Sequence, residues 1–157
     1  MTPDERADLL TMYIAGPDII DLALARITAD EWDATEAPGE WSPRQVAHHL
    51  ADSETTSAIR LRRLLVEDDP LIQNYDQDAF ARVLHYDRDP AFSLALFRAV
   101  RSSTAELLQR MSDADWQRSG THSESGPYSV EDWLRIYGIH AQDHADQIGR
   151  ARTAANI

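Results

Sequence analysis

Apolar residues recur every three or four positions through most of the chain, and long runs of that spacing predict amphipathic helices. Thr2-Pro3-Asp4-Glu5 is a helix start, with a capping hydroxyl, Pro in the first turn and acids at the positive end of the dipole. Leu9, Leu10, Tyr13 and Ile14 follow, Gly16-Pro17 interrupts, and the pattern resumes at Ile19, Ile20, Leu22, Ala23 and Ile27. The spacing predicts one kinked helix over 3–28. Ser42-Pro43-Arg44-Gln45 is the strongest start in the chain, a capping box with Pro at the first helical position. The helix it opens runs to Glu67, about 39 Å at about 1.5 Å per residue, with the stripe Val46, His49/Leu50, Ser53, Ser57, Leu61, Leu64/Leu65. A third helix is expected over 90–111, with Phe92, Ala95/Leu96, Ala99/Val100, Thr104, Leu107/Leu108 and Met111 inward. A fourth, capped by Ser129, is expected over 129–152, with Trp133, Ile136/Tyr137, His140, His144 and Ile148 on one face.

The connections carry turn signals. Residues 29–41 read as short-range structure and loop around Pro38-Gly39, and 112–127 as a loop with Gly120 and Gly126. Residues 68–89 form a long connection with one short helix, Asp76–Leu84; connections this long are either functional or bundle crossovers. Four long helices without an alternating strand pattern predict an all-α four-helix bundle with a long crossover, as a single domain over 1–157. A faint internal echo pairs Ala29-Asp30-Glu31-Trp32 with Ala114-Asp115-Trp116, each ahead of a His-bearing helix.

Composition narrows the function. With 27 acidic and 15 basic residues the net charge is −12, which argues against a nucleic-acid or anionic-membrane partner. Every basic residue is Arg, so Schiff-base chemistry and a Lys-dependent phosphate loop are excluded. Cys is absent, which removes disulfides, thiolate ligands and Cys nucleophiles. No window approaches the apolar length of a membrane span, and the acidic N-terminus is not a secretory signal, so a cytoplasmic protein is expected.

His140 and His144 stand four apart on the inward stripe of the fourth helix. That places both imidazoles on one face, the way one helix supplies two metal ligands. Buried imidazoles need partners, and a metal satisfies both. A third ligand is expected from another helix, and His49 lies on the inward stripe of the second. His48 is rotated about 100° away, toward Arg44 and Asp52. Asp52, three residues after His49, is placed to orient that ligand or to act on a substrate as the catalytic base; Glu54 is the other candidate base. The metal-protease motif is absent, since Ala141 stands where its glutamate would be. Tyr137 and Gln147 flank the pair, Arg60 and Arg63 add positive charge along the second helix, and Trp41 and Trp133 read as core anchors. His85 and His122 fall in loops. Because His binds metal only when neutral, affinity is expected to fall below about pH 6.5.

Three segments together resemble the DinB-like, YfiT-like superfamily of metal-binding four-helix bundles. Trp41 to Glu54 resembles its first His-bearing helix, and Ile139 to Ile148 its second, where two His four apart precede Gln-Ile. Asn74-Tyr75-Asp76-Gln77-Asp78-Ala79-Phe80 resembles its crossover, with Phe80 where an aromatic, usually Trp, is found. The resemblance covers nearly the whole chain. It implies a nickel or zinc ion held by His49, His140 and His144, a low-molecular-weight thiol of the bacillithiol or mycothiol type as co-substrate, small electrophiles as acceptors, and a homodimer. The chain departs from the family at Asp143, where a further His often stands. Three neutral His leave a coordination position open, the pattern of a catalytic site. An open position suits a thiol whose pKa the metal lowers, giving a thiol S-transferase, or a water activated for hydrolysis. A non-enzymatic metal-binding stress protein is the remaining alternative.

Overall fold

The computed structural model describes residues 1–155. In chain order these form α1 (Pro3–Ala23), α2 (Ala29–Trp32), α3 (Pro43–Val66), β1 (Leu71–Ile72), α4 (Gln77–Val83), α5 (Ala91–Leu108), α6 (Asp113–Trp116), β2 (Ser119–His122), β3 (Gly126–Ser129) and α7 (Val130–Ala155). The four long helices α1, α3, α5 and α7 make the bundle, and the segment from β1 through α4 is the crossover. The capping boxes at Thr2 and Ser42 are present as the sequence reads. The internal echo also has a structural counterpart. Both α2 and α6 are single turns closed by a full capping box, Thr28 with Glu31 and Ser112 with Asp115.

The structure corrects several expectations. Helix α1 ends at Ala23 rather than 28, in a turn where Arg26 takes φ of 56°. The stretch 112–127, expected as loop, contains α6 and most of a hairpin. Strand β2 pairs antiparallel with β3, Ser119 opposite Ser129, and parallel with β1, Leu71 opposite Thr121. Strands of two and four residues are too short to show a period of two. Gly120 is required here, because a Cβ would fall against the Pro70 carbonyl and ring; Gly126, with φ of 79°, makes the turn. The small sheet ties the crossover to the start of α7.

Over its first half the inward face of α5 is rotated by one residue from the expected stripe, while Thr104 and Leu108 lie inward as expected. Ser93, Phe97, Arg101, Thr104, Ala105 and Leu108 are buried, while Phe92 is 91% exposed. Ile136 of α7 is likewise exposed. The sequence misleads because a fully buried arginine stands on the α5 core face. Arg101 Nη1 donates to Glu54 Oε2 (2.8 Å), Nη2 to the Tyr137 carbonyl (2.9 Å) and Nε to the Tyr13 carbonyl (2.7 Å). The Tyr13 hydroxyl donates to the other Glu54 oxygen. The Tyr13 carbonyl is available because Pro17, four residues on, has no N–H to donate to it. Gly16 leaves room, since a Cβ there would lie 2.5 Å from Arg101 Nε. The Gly16-Pro17 pair is thus a socket for Arg101 inside a continuous helix, and one guanidinium joins all four bundle helices.

Two apolar clusters flank this tie. One gathers Tyr13, Leu61, Leu64, Ile72, Trp116, Tyr128, Trp133 and Tyr137 around the sheet. The other gathers Ile20, Val46, Leu50, Phe97, Ala141 and Ile148 beside the histidines.

Candidate metal centre

His49 projects from the second turn of α3, and His140 and His144 from the middle of α7. Their Nε2 atoms converge: His49 to His140 is 3.4 Å and His140 to His144 is 3.2 Å, with one ligand atom from each residue inside a 4.8 Å span. Two ligands each about 2.0–2.1 Å from one tetrahedral ion lie about 3.3 Å apart, so the spacing fits a shared divalent cation. Of the remaining ring nitrogens, only that of His144 has a protein partner. His144 Nδ1 meets Gln147 Oε1 at 2.8 Å; as donor there, it leaves Nε2 free of a proton. Nδ1 of His49 and of His140 is enclosed without a hydrogen-bond partner. Burial pushes His49 down to about 3, with His144 adding repulsion, and holds His140 and His144 below the usual histidine value. All three rings are therefore neutral at pH 7, the form a metal needs. His49 is buried while His140 and His144 are half-buried, so the cluster has one more open side.

The surroundings differ from the expectation. His48 lies on the Arg44 and Asp52 side of α3, as expected, but is fully buried there. Its Nε2 lies 3.0 Å from the Arg88 carbonyl, to which it donates, and its Nδ1 lies 2.7 Å from Ser93 Oγ. It pins the crossover onto α3 and has no nitrogen left for a metal. Asp52 does not reach His49 Nδ1; its Oδ2 accepts the Tyr86 hydroxyl at 2.7 Å. Glu54 has both oxygens engaged in the Arg101 and Tyr13 tie and is 0% exposed, which removes it as a base. Arg63 is held by Glu67. Trp41 is a half-buried wall of the site, its ring centroid 4.8 Å from that of His49, whereas Trp133 is a core anchor as read.

Sequence reasoning missed the layer beneath the histidines. Ser53 on α3 and Tyr137 on α7, each one turn from a histidine, are both nearly fully buried. Tyr75 of the crossover leans over Ser53, and the Arg60 guanidinium caps both phenols, with Nη1 3.4 Å from the Tyr137 hydroxyl. The polar positions Ser53 and Ser57 in an otherwise apolar stripe were the available signal.

Comparison with known proteins gives a consistent picture. Residues 13–148 match the DinB superfamily. A protein of Oceanobacillus iheyensis, provisionally named a metal-dependent hydrolase, is 32% identical over 84% of this chain and 77% of its own. YfiT of Bacillus subtilis, under the same provisional name, is 31% identical over 84% of this chain and 75% of its own. The solved structure of YfiT, a four-helix bundle of unusual topology, superposes with a TM-score of 0.88, covering 94% of this chain and 86% of that one at 28% identity. A mycothiol-dependent maleylpyruvate isomerase superposes with a TM-score of 0.73 at 12% identity, over 95% of this chain and 61% of that one, a likeness of fold.

Proposed function

The chain belongs to the DinB superfamily, and on that premise we propose a metal-dependent enzyme that transfers a low-molecular-weight thiol to a small electrophile. A divalent ion, nickel or zinc, would be held by His49, His140 and His144. The observation that carries this reading is the convergence of three neutral Nε2 atoms, 3.2 and 3.4 Å apart, in a half-open site. A bound ion supplies Lewis acidity that lowers the pKa of a thiol or water it meets. This chain has no Cys, so the sulfur arrives on a substrate. Gln147 fixes the His144 tautomer, Trp41 shields His49 from water, and Asp52, held by Tyr86, takes the proton released from the thiol. A mycothiol-dependent isomerase uses the same bundle, which supports thiol chemistry in this frame.

The names of the relatives favour a second reading, a metal-dependent hydrolase in which water replaces the thiol. Metal binding without turnover would leave the non-enzymatic reading. We also propose a homodimer contact through exposed apolar residues of α5 and α3, namely Phe92, Leu96 and Ile59. No described helix is long and apolar enough to cross a membrane.

The test is elemental analysis of untagged wild type beside His144→Ala. About one equivalent of nickel or zinc is expected in wild type, falling at least about tenfold in the variant. An empty wild type after reconstitution would sink the mechanism. Turnover that requires added thiol separates transfer from hydrolysis.

A further inference from the structure

The half-buried Arg60 guanidinium meets no carboxylate among the described residues, a trait it shares with Arg62, whose bonds go to the Ala58 carbonyl and the Thr104 hydroxyl; what sets Arg60 apart is the donors around it. Nη2 donates to the Gln73 carbonyl at 2.6 Å and Nη1 to the Tyr137 hydroxyl at 3.4 Å, while Nε is enclosed with no partner. The guanidinium carbon lies 5.7 Å from the centre of the Tyr75 ring, which Phe80 supports at 4.7 Å. The Tyr75 hydroxyl is also enclosed with no hydrogen bond. Two buried donors without acceptors, beside a cation without an anion, cost stability unless something fills their need. The Ser53 hydroxyl and the Tyr137 hydroxyl complete the group of donors, and Asp52, the acid whose charge reaches Tyr75, is engaged by the Tyr86 hydroxyl. Tyr137 sets this group against the candidate metal site, its ring 5.7 Å from that of His140.

We propose that Arg60, Tyr75, Tyr137 and Ser53 form a docking site for a carboxylate carried by the co-substrate, alongside the three-histidine cluster. A carboxylate supplies the acceptors that Arg60 Nε and the Tyr75 hydroxyl lack, and a planar guanidinium suits its geometry. The inference rests on the proposed metal function and narrows its substrate class to molecules with an anionic arm.

Mercaptocarboxylates of increasing chain length, each paired with the mercaptoalcohol of equal length, serve as probes and as a ruler. They are titrated into cobalt-loaded protein, where thiol ligation is read as near-ultraviolet charge transfer. In wild type one chain length should favour the acid by about tenfold. Arg60→Gln should erase that advantage while leaving alcohol binding in place, Arg60→Lys should keep part of it, and Tyr75→Phe should lower it severalfold without altering the Arg60–Gln73 tie. Equal binding of acid and alcohol at every length, or an advantage that survives Arg60→Gln, would overturn the proposal. If cobalt is not taken up, the metal reading fails, and the metal-free protein decides the docking site separately. Hexanoate should then raise the melting temperature of wild type but not of Arg60→Gln, at matched ionic strength; no shift in wild type would overturn it. Mutual exclusion of hexanoate and a mercaptoalcohol supports a carboxylate on the thiol co-substrate, whereas their binding together would overturn that assignment.

Discussion

At the scale of single residues, Arg101 and the histidines illustrate opposite ways of burying polar groups. Arg101 finds its partners within the protein: each of its three nitrogens has an acceptor, and its carboxylate partner is equally buried. Burial pushes Glu54 up, and Arg101 is the main influence holding it down. Arg101→Met should therefore lower stability by about 3–5 kcal/mol, since it strands the Glu54 charge. Urea melts of the metal-free protein measure this, and a loss under about 1 kcal/mol would contradict the tie. The histidines are not satisfied by protein, because His49 and His140 each keep an enclosed Nδ1 without a partner and turn Nε2 toward other nitrogens. His49, His140 and His144 were legible from inward spacing. Arg101 was not, because a charge on a helix face reads as solvent-exposed until its partners on three other helices are known.

At the scale of elements, capping chemistry announced helix starts well, at Thr2, Ser42 and Ser129. Ends and rotations were less legible. The first half of the α5 stripe slipped by one residue because Phe92, Leu96, Ala99 and Val100 make a better apolar run than Ser93, Phe97 and Arg101. Amphipathicity reports which face is apolar, not which partner covers it. That outward face has a consequence for association. The proposed homodimer contact predicts that wild type sediments as a dimer at micromolar concentration and Phe92→Asp as a monomer, with a change in monomer stability within about 0.5 kcal/mol. A wild type that sediments as a monomer would remove the dimer contact. The sheet was invisible for a different reason: its register is set by the Pro70–Gly120 approach, a contact between residues fifty positions apart.

At the scale of the whole molecule, pH couples the site to the fold. The folded pKa of each clustered histidine lies below the free value of about 6.5, so the unfolded chain binds more protons between the two values. The stability of the metal-free protein is therefore complete above about pH 6.5. It declines as pH falls, by about 1.4 kcal/mol per pH unit for each histidine still neutral in the fold. Melting temperatures of metal-free protein should drop steadily from pH 7 to pH 5, and less so for His140→Leu; a flat profile would contradict buried neutral rings. Because burial lowers all three histidines, loss of metal affinity should set in at a pH below the free histidine value rather than at it. Bound metal should raise the melting temperature at pH 7 by mass action.

The Gly16-Pro17 socket has one more implication, which concerns the order in which the molecule comes apart. A bundle held only by apolar stripes can shed an outer helix while the others stay packed. Here α1 cannot peel away without uncovering Arg101, and that exposes the bonds from α5 to α3 and α7 at once. Backbone amides flanking Tyr13, Glu54, Arg101 and Tyr137 should therefore exchange with solvent deuterium at a common slow rate set by global opening. In Arg101→Met that rate should split, with the α1 amides exchanging first.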